Sequence, residues 1–287
     1  MKTDVDGEPS SVTPHERTAS GQSSASAPGP RGWRVVAEQE FIDLWATGRG
    51  PVLVFAFSVL LSVITYLAGT NQALNFLEQR EAVNLTLQLA VAVGTLVTMV
   101  VSADAISGER ERGTLENLLL APVSRRTVAV GKFLAALSLW LASCVVSIPY
   151  IWVLGRGSSI VWRALLLDLA VGTLLAAALA ALALLVSALS QSNKVSLSVS
   201  LFLLLSLFAP TQLPAGATRG WFGTYLDRLN PIAAGTHYMT ALLVNGHGWA
   251  RDLSYLASPL VTIVLAGGAL LVAGPRIISL HAGTSRG

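Results

Sequence analysis

Between two long apolar runs the chain reads Ser107-Gly-Glu-Arg-Glu-Arg-Gly113-Thr-Leu-Glu-Asn-Leu-Leu-Leu-Ala-Pro122-Val-Ser124-Arg-Arg126. Glu109, Arg110, Glu111, Arg112 and Glu116 crowd its first half, so this part belongs outside the hydrocarbon that the flanking runs suit. Its punctuation divides it. Gly113 tolerates the left-handed conformation that ends a helix, which predicts a stop for the helix arriving from the apolar side. Thr114 is an N-cap residue type, and Glu116 falls in the first turn of the short helix that would follow, where the helix dipole favours an acid. Leu115, Leu118 and Leu119 share one side of that helix. Pro122 disfavours helical geometry at Ala121 and stops it. Ser124 is placed to cap the next helix, with Arg125 and Arg126 at the membrane surface. The expectation is a short helix with an apolar face, held between two membrane spans and stopped at both ends.

This stretch resembles the cytoplasmic loop of permeases in the type-2 exporter family of ATP-binding-cassette (ABC) transporters. There an acidic-basic run leads into Gly-Thr-Leu-Glu, a Leu-rich turn and Pro-Val-Ser-Arg. Glu109, Arg112, Gly113, Thr114, Leu115, Glu116, Leu119, Pro122 and Ser124 match that pattern position by position. The resemblance runs from about Trp33 to about Leu280, and it implies that the short helix, Leu118 included, docks on an ATPase subunit. It further implies a pair of permeases, a second copy or a paralogue, bound to two separate ATPase subunits that hold ATP and Mg. No cofactor is then expected in this chain.

Composition agrees with a membrane setting. The chain has 287 residues, of which 53% are hydrophobic and only 12% charged, with mean hydropathy +0.61. Such a balance cannot cover a globule with polar surface. The net charge of +3 matters less than its placement. No basic patch interleaved with aromatics points to nucleic acid. Cys144 is the only cysteine, which excludes an internal disulfide and a cysteine-based metal site, and it reads as a small packing residue in an apolar run.

Residues 1–32 are rich in Ser, Pro, Gly, Thr and Ala and predict a disordered cytoplasmic tail without a secretory signal. Trp33–Thr47 has mixed polarity: Trp33, Ala37, Phe41, Leu44 and Trp45 share one face, with Glu38, Gln39, Glu40 and Asp43 mainly off it. An amphipathic helix lying flat in the interface is expected, as permeases of the resembled family carry before the first span. Six apolar runs follow, each near the ~20 residues that cross ~30 Å of hydrocarbon. They are Pro51–Gly69, Val83–Ile106, Val128–Leu154, Arg163–Leu189, Val195–Leu213 and Leu253–Ala273. Arg110, Arg112, Arg125, Arg126 and Lys132 gather about the loop between spans two and three, whereas the first loop has only Arg80. Both termini and the charged loop are therefore expected in the cytoplasm, with the protein in the cytoplasmic membrane. The predicted fold is an all-α membrane protein over residues 33–280, with a C-terminal cytoplasmic tail at 281–287.

The spans are chemically plain. Gly172, Ala176, Ala180 and Ala183 line one side of the fourth, and Ser196 and Ser200 have small-xxx-small spacing in the fifth. Asp168 is the one acid well inside a span, a candidate for a transport pathway or for simple local pairing near the outer surface. Asp104 belongs with the charged approach. Beyond the fifth span, Asn230 and Pro231 predict the N-cap and first position of a mostly apolar helix over Ile232–Val244, a re-entrant or surface-lying element that would cover the exit of a pathway on the outer face. The resembled permeases carry Leu-Asn-Pro or Leu-Ser-Pro at this point. His237 and His247 lack metal-site spacing, and no metal is expected.

An energy source is missing. The sequence has no G-x-x-x-x-G-K-[ST], no H-E-x-x-H and no G-x-S-x-G, and Gly131-Lys132 is followed by Phe133 without the upstream glycine. These absences weaken an enzyme reading, and ATP hydrolysis is expected on a partner subunit. The reading is an ABC permease subunit, exporting by resemblance; the alternative is an ion- or proton-coupled carrier. A carrier would show several buried ionisable residues and an inverted repeat. Asp168 is the single candidate acid, and no repeat is visible.

Overall fold

A computed structural model describes residues 32–70, 79–113, 124–212 and 221–282. The described residues form helices and no strand. In order these are α1 (Gly32–Ala46), α2 (Arg49–Thr70), α3 (Gln79–Glu111), α4 (Arg125–Leu154) and α5 (Ile160–Leu167). A π turn at Asp168–Gly172 joins α5 to α6 (Thr173–Leu189). Then come α7 (Asn193–Phe208), α8 (Trp221–Leu229), α9 (Pro231–Leu243) and α10 (Ala257–Ala282).

Six segments are long and apolar enough to cross a membrane: Arg49–Leu67, Gln79–Glu111, Arg125–Leu154, Ile160–Leu189, Asn193–Gln212 and Leu253–Val272. They coincide with the six apolar runs, and the differences lie at the ends. The second helix continues past Ile106 to Glu111, because the charged residues of its last turns find partners on neighbouring helices (below). Burial sorts the six. Within the most apolar eighteen residues of each, more than half of the second and fourth is buried (56% each) and 44% of the third, against 17% of the first and fifth and 22% of the sixth. So α3, α4 and α6 form the centre, with α2, α7 and α10 around them.

The centre packs closely because its side chains allow it. Ala176, Ala180 and Ala183 of α6 are all buried, as small residues must be where helix backbones approach each other in lipid. Trp140 of α4 fills the gap among α3, α4 and the π turn. Its ring leaves no room for a side chain at Gly172, where a Cβ would lie 2.5 Å from Cζ2, and its Nε1 donates to Thr173 Oγ1 at 2.9 Å. The sequence predicts one unbroken helix over Arg163–Leu189; the observed π turn beside this bulky ring is the difference. Three buried hydroxyls of α3 are satisfied locally: Thr95, Thr98 and Ser102 each donate to the carbonyl four residues back, at 2.7–2.8 Å. The Tyr150 hydroxyl ties α4 to α2, 2.7 Å from Ser62 Oγ and 3.1 Å from Ser58 Oγ.

One expectation changes and another is narrowed. α1 lies along α4, where Trp45 Nε1 donates to Ser138 Oγ at 3.2 Å, but its inward side is not the purely apolar one. Ala37, Leu44 and Trp45 are half-buried, while Phe41 and Ile42 are exposed. The reason is Glu40, which turns inward to Lys132 and rotates Phe41 out. The second concerns α9. Of the re-entrant and surface-lying alternatives the re-entrant one fits, since the helix sits in the bundle with Ile232, Ala234, Tyr238, Met239 and Leu242 buried. Thr240 Oγ1 accepts from Gln88 Nε2 at 2.9 Å, and Gly235 lies against Leu175. At 13 residues α9 is too short to span a bilayer.

Candidate functional site

The last turns of α3 gather the polar chemistry of one end of the bundle. α3 stops as its sequence predicts: Gly113 has φ +72°, in the left-handed region, and its N–H donates to Arg110 O at 3.2 Å. Before that stop, the charged residues find partners on several helices. Asp104 Oδ2 lies 3.2 Å from Arg49 Nη1 at the start of α2 and 3.5 Å from Arg112 Nη2. Its Oδ1 accepts from Asn193 Nδ2 of α7 at 2.7 Å. Ser187 Oγ of α6 accepts from the N–H groups of Ile106 and Ser107 at 3.1 and 2.9 Å. The Arg110 guanidinium donates to the carbonyls of Ser190 and Ala188, which are otherwise open at the end of α6. Glu111 Oε2 accepts from the N–H of Asn193 at 3.3 Å, at the positive end of α7.

Glu109 turns the other way. Its Oε1 is 2.5 Å from Lys132 Nζ of α4, and the same ammonium is 2.8 and 3.0 Å from the two oxygens of Glu40 on α1. The Lys132 side chain is 2% exposed, so three charges share a nearly dry site. The two carboxylates compensate the burial of the Lys132 side chain, which would otherwise be costly. Burial pushes the Glu40 carboxyl above the usual carboxylate range, against the pull of Lys132, which lowers it. The cluster clamps together α1, the end of α3 and the start of α4. α4 begins at a capped turn, where Ser124 Oγ accepts from the N–H of Thr127 at 3.2 Å.

The sequence-predicted site residues therefore divide. Glu109, Arg112, Gly113 and Ser124 frame the stretch, and Glu109 and Arg112 face partners inside the chain. Thr114, Leu115, Glu116, Leu118, Leu119 and Pro122 lie outside the described residues. Lys132 and Glu40 escaped sequence reading. A lysine one step inside an apolar run was the available signal, because a cation there demands an acid from another helix.

The remaining candidates stand apart from this end. Asp168 is 2% exposed and accepts from Ser147 Oγ of α4 at 2.5 Å, so it pairs locally and does not reach the surface. It opens the π turn, a feature that sequence did not foretell. Asn230 caps α9, accepting from the N–H groups of Ile232 and Ala233 at 2.9 and 3.3 Å, with Pro231 at the first position. Its Nδ2 donates to Leu207 O at 2.6 Å and so ties α9 to α7. His237 stacks on Tyr255, and His247 pairs with Asp252 at 2.7 Å. Among the described residues no group of three metal-ligating side chains comes together.

No curated protein matches the chain. The model of the family described as ABC-2 family transporter protein matches residues 34–273, well over half of the 287. The match takes in α1, all six membrane-spanning segments and the polar cluster at the end of α3. The chain belongs to the ABC-2 transporter family and is a multi-pass membrane permease.

Proposed function

We propose that this permease moves its substrate out across the cytoplasmic membrane, driven by ATP hydrolysis on separate ATPase subunits that dock at the polar end of α3. The observation that carries this reading is the family match taken with the geometry at that end. The stretch of 114–123 leaves α3 at the Gly113 stop and enters α4 at the Ser124 cap, so a push on it acts on both helices. From there the polar cluster offers routes onward. Glu109 and Lys132 pass a displacement to α1 through Glu40, and Arg110 and Glu111 pass it to the turn between α6 and α7. In this reading Glu109 and Arg112 orient the docking helix from behind, while Leu115, Glu116, Leu118 and Leu119 meet the ATPase. Pro122 fixes where that helix ends.

The working unit is a pair of permeases, identical or paralogous, with two ATPase subunits that carry ATP and Mg. ATP shifts the permease between conformations only if the ATPases engage the two with different affinity. Both termini and the polar end of α3 then face the cytoplasm. In this reading Asp168, whose Oδ2 accepts from Ser147 while its buried Oδ1 has no hydrogen-bond partner among the described residues, serves packing.

Co-expression with its ATPase tests this reading. Leu118→Ala or Leu119→Ala, each removing about 2 kcal/mol of packing at a dry interface, should reduce co-purified ATPase while the permease inserts normally. The purified chain alone should bind no ATP. Stoichiometric ATP binding by the isolated chain, or full co-purification with a Leu118→Ala/Leu119→Ala double variant, would overturn it.

A further inference from the structure

At the end of the bundle opposite the polar cluster, a recess of about 270 Å³ opens between the end of α4 and the start of α5. Trp152, Gly155, Arg156, Ser159, Val161 and Trp162 line it. We propose that this recess is a binding site for an anionic phospholipid, with the Arg156 guanidinium on the lipid phosphate. Three observations specify the occupant.

The first is charge. Arg156 is exposed and makes no ion pair or hydrogen bond through its side chain to any described residue. Between Gly155 and Leu167 there is no acid in the sequence, and Arg163 adds a second exposed cation. A planar guanidinium without a protein anion matches a phosphate, which it can engage through two parallel N–H bonds. The second is the wall. Trp152 and Trp162 are 56% and 69% exposed, and Val161 completes an apolar lining, so the occupant carries apolar surface beside its charge. A hydrated inorganic anion would leave that wall wet. The third is position and order. The recess lies where two spans leave the hydrocarbon, the depth at which tryptophans and lipid headgroups meet. Its floor is held in place: Gln79 Nε2 donates to the carbonyls of Leu154 and Arg156 at 3.1 and 3.0 Å, and Ser158 Oγ donates to Gly155 O at 2.7 Å. Ser159 Oγ makes no capping bond and remains available as a further donor.

Native mass spectrometry of the full chain, titrated with phosphatidylglycerol, tests the site. Phosphatidylcholine, oleate and inorganic phosphate serve as comparison ligands. Arg156→Gln should lower phosphatidylglycerol affinity roughly fivefold, the usual effect of one interfacial cation. Arg156→Lys should fall between the two. Trp162→Ala should weaken binding with the charge intact, and Arg251→Gln, at another exposed arginine, should change nothing. The melting temperature of each variant should match the parent, since the altered side chains are exposed. Unchanged affinity in both Arg156→Gln and Trp162→Ala would remove the site. Displacement of phosphatidylglycerol by millimolar inorganic phosphate would make it a free-phosphate site, and equal binding of oleate would reject phosphate recognition; either result overturns the proposal.

Discussion

Lys132 is buried and ion-paired with Glu40 and Glu109. Replacing it with Met removes the ammonium and leaves two carboxylates close together in a poorly hydrated site. Breaking a buried ion pair in this way costs on the order of 3 kcal/mol, so Lys132→Met should lower the melting temperature and release α1 from α4. A triple variant that also carries Glu40→Gln and Glu109→Gln should recover part of the loss. The same cluster sets a pH dependence. The folded-state pKa of Glu40 is raised above its usual value of 4.5, mainly by burial. Its contribution is therefore fully present below that value and is lost as pH rises through the raised pKa. Docking of α1 should tighten as the solution is acidified towards pH 4.5. The Trp45 indole, hydrogen-bonded to Ser138 on α4, reports this by fluorescence. In Lys132→Met the window should move to higher pH, because the pull that lowers the Glu40 pKa has gone. A profile that moves to lower pH, or none, contradicts the assignment.

At the scale of the element, the π turn between α5 and α6 and the Trp140 ring depend on each other. Gly172→Ala puts a methyl group within 2.5 Å of the ring and should cost about 1–3 kcal/mol by overpacking, read as a loss of thermal stability. Trp140→Ala should cost more, about 3–5 kcal/mol, because a large buried ring leaves a cavity. The Asp168–Ser147 bond closes the same region one turn away. Asp168→Asn keeps an acceptor for Ser147, so it should change stability and transport little. Loss of transport in Asp168→Asn, with folding intact, would instead give that acid a role in the pathway. For α9, Asn230→Ala removes both the cap and the bond to Leu207, and about 1 kcal/mol or more should be lost.

For the whole molecule, the proposed orientation rests on the arginines about the ends of α3 and α4. In a Cys144→Ala background, single cysteines at Ser124 and Ser192 should react only with a reagent admitted to the cytoplasm. Cysteines at Gln79, Ser158 and Gly246 should react only from outside. Labelling of Ser124 from outside would invert the bundle and take the ATPase from the polar end of α3. The shallow burial of α2, α7 and α10 has a consequence at this scale too. Their outer apolar residues, such as Phe55 and Phe202, are exposed in the single chain and belong against hydrocarbon or another membrane helix.

Sequence by itself determined the elements whose causes are local. Runs of apolar residues near twenty long set the six spans, since bilayer thickness imposes that length on any helix. Gly113 marked where α3 stops, Ser124 where α4 starts, and Asn230-Pro231 where α9 starts, because caps are written in adjacent residues. The stretch to which the resemblance assigns docking was legible as a motif, and its residues from 114 to 123 lie outside the described structure. What only the tertiary structure decided is which side chains meet. Glu109 is as polar as its neighbours in sequence, and nothing local says that it faces Lys132 while Arg110 faces the end of α6. The inward rotation of α1, the π turn beside Trp140 and the pairing of Asp168 with Ser147 have the same origin. Each depends on a residue brought from a different helix, and in a low-dielectric bundle a buried charge or ring accepts only the partner that packing places beside it.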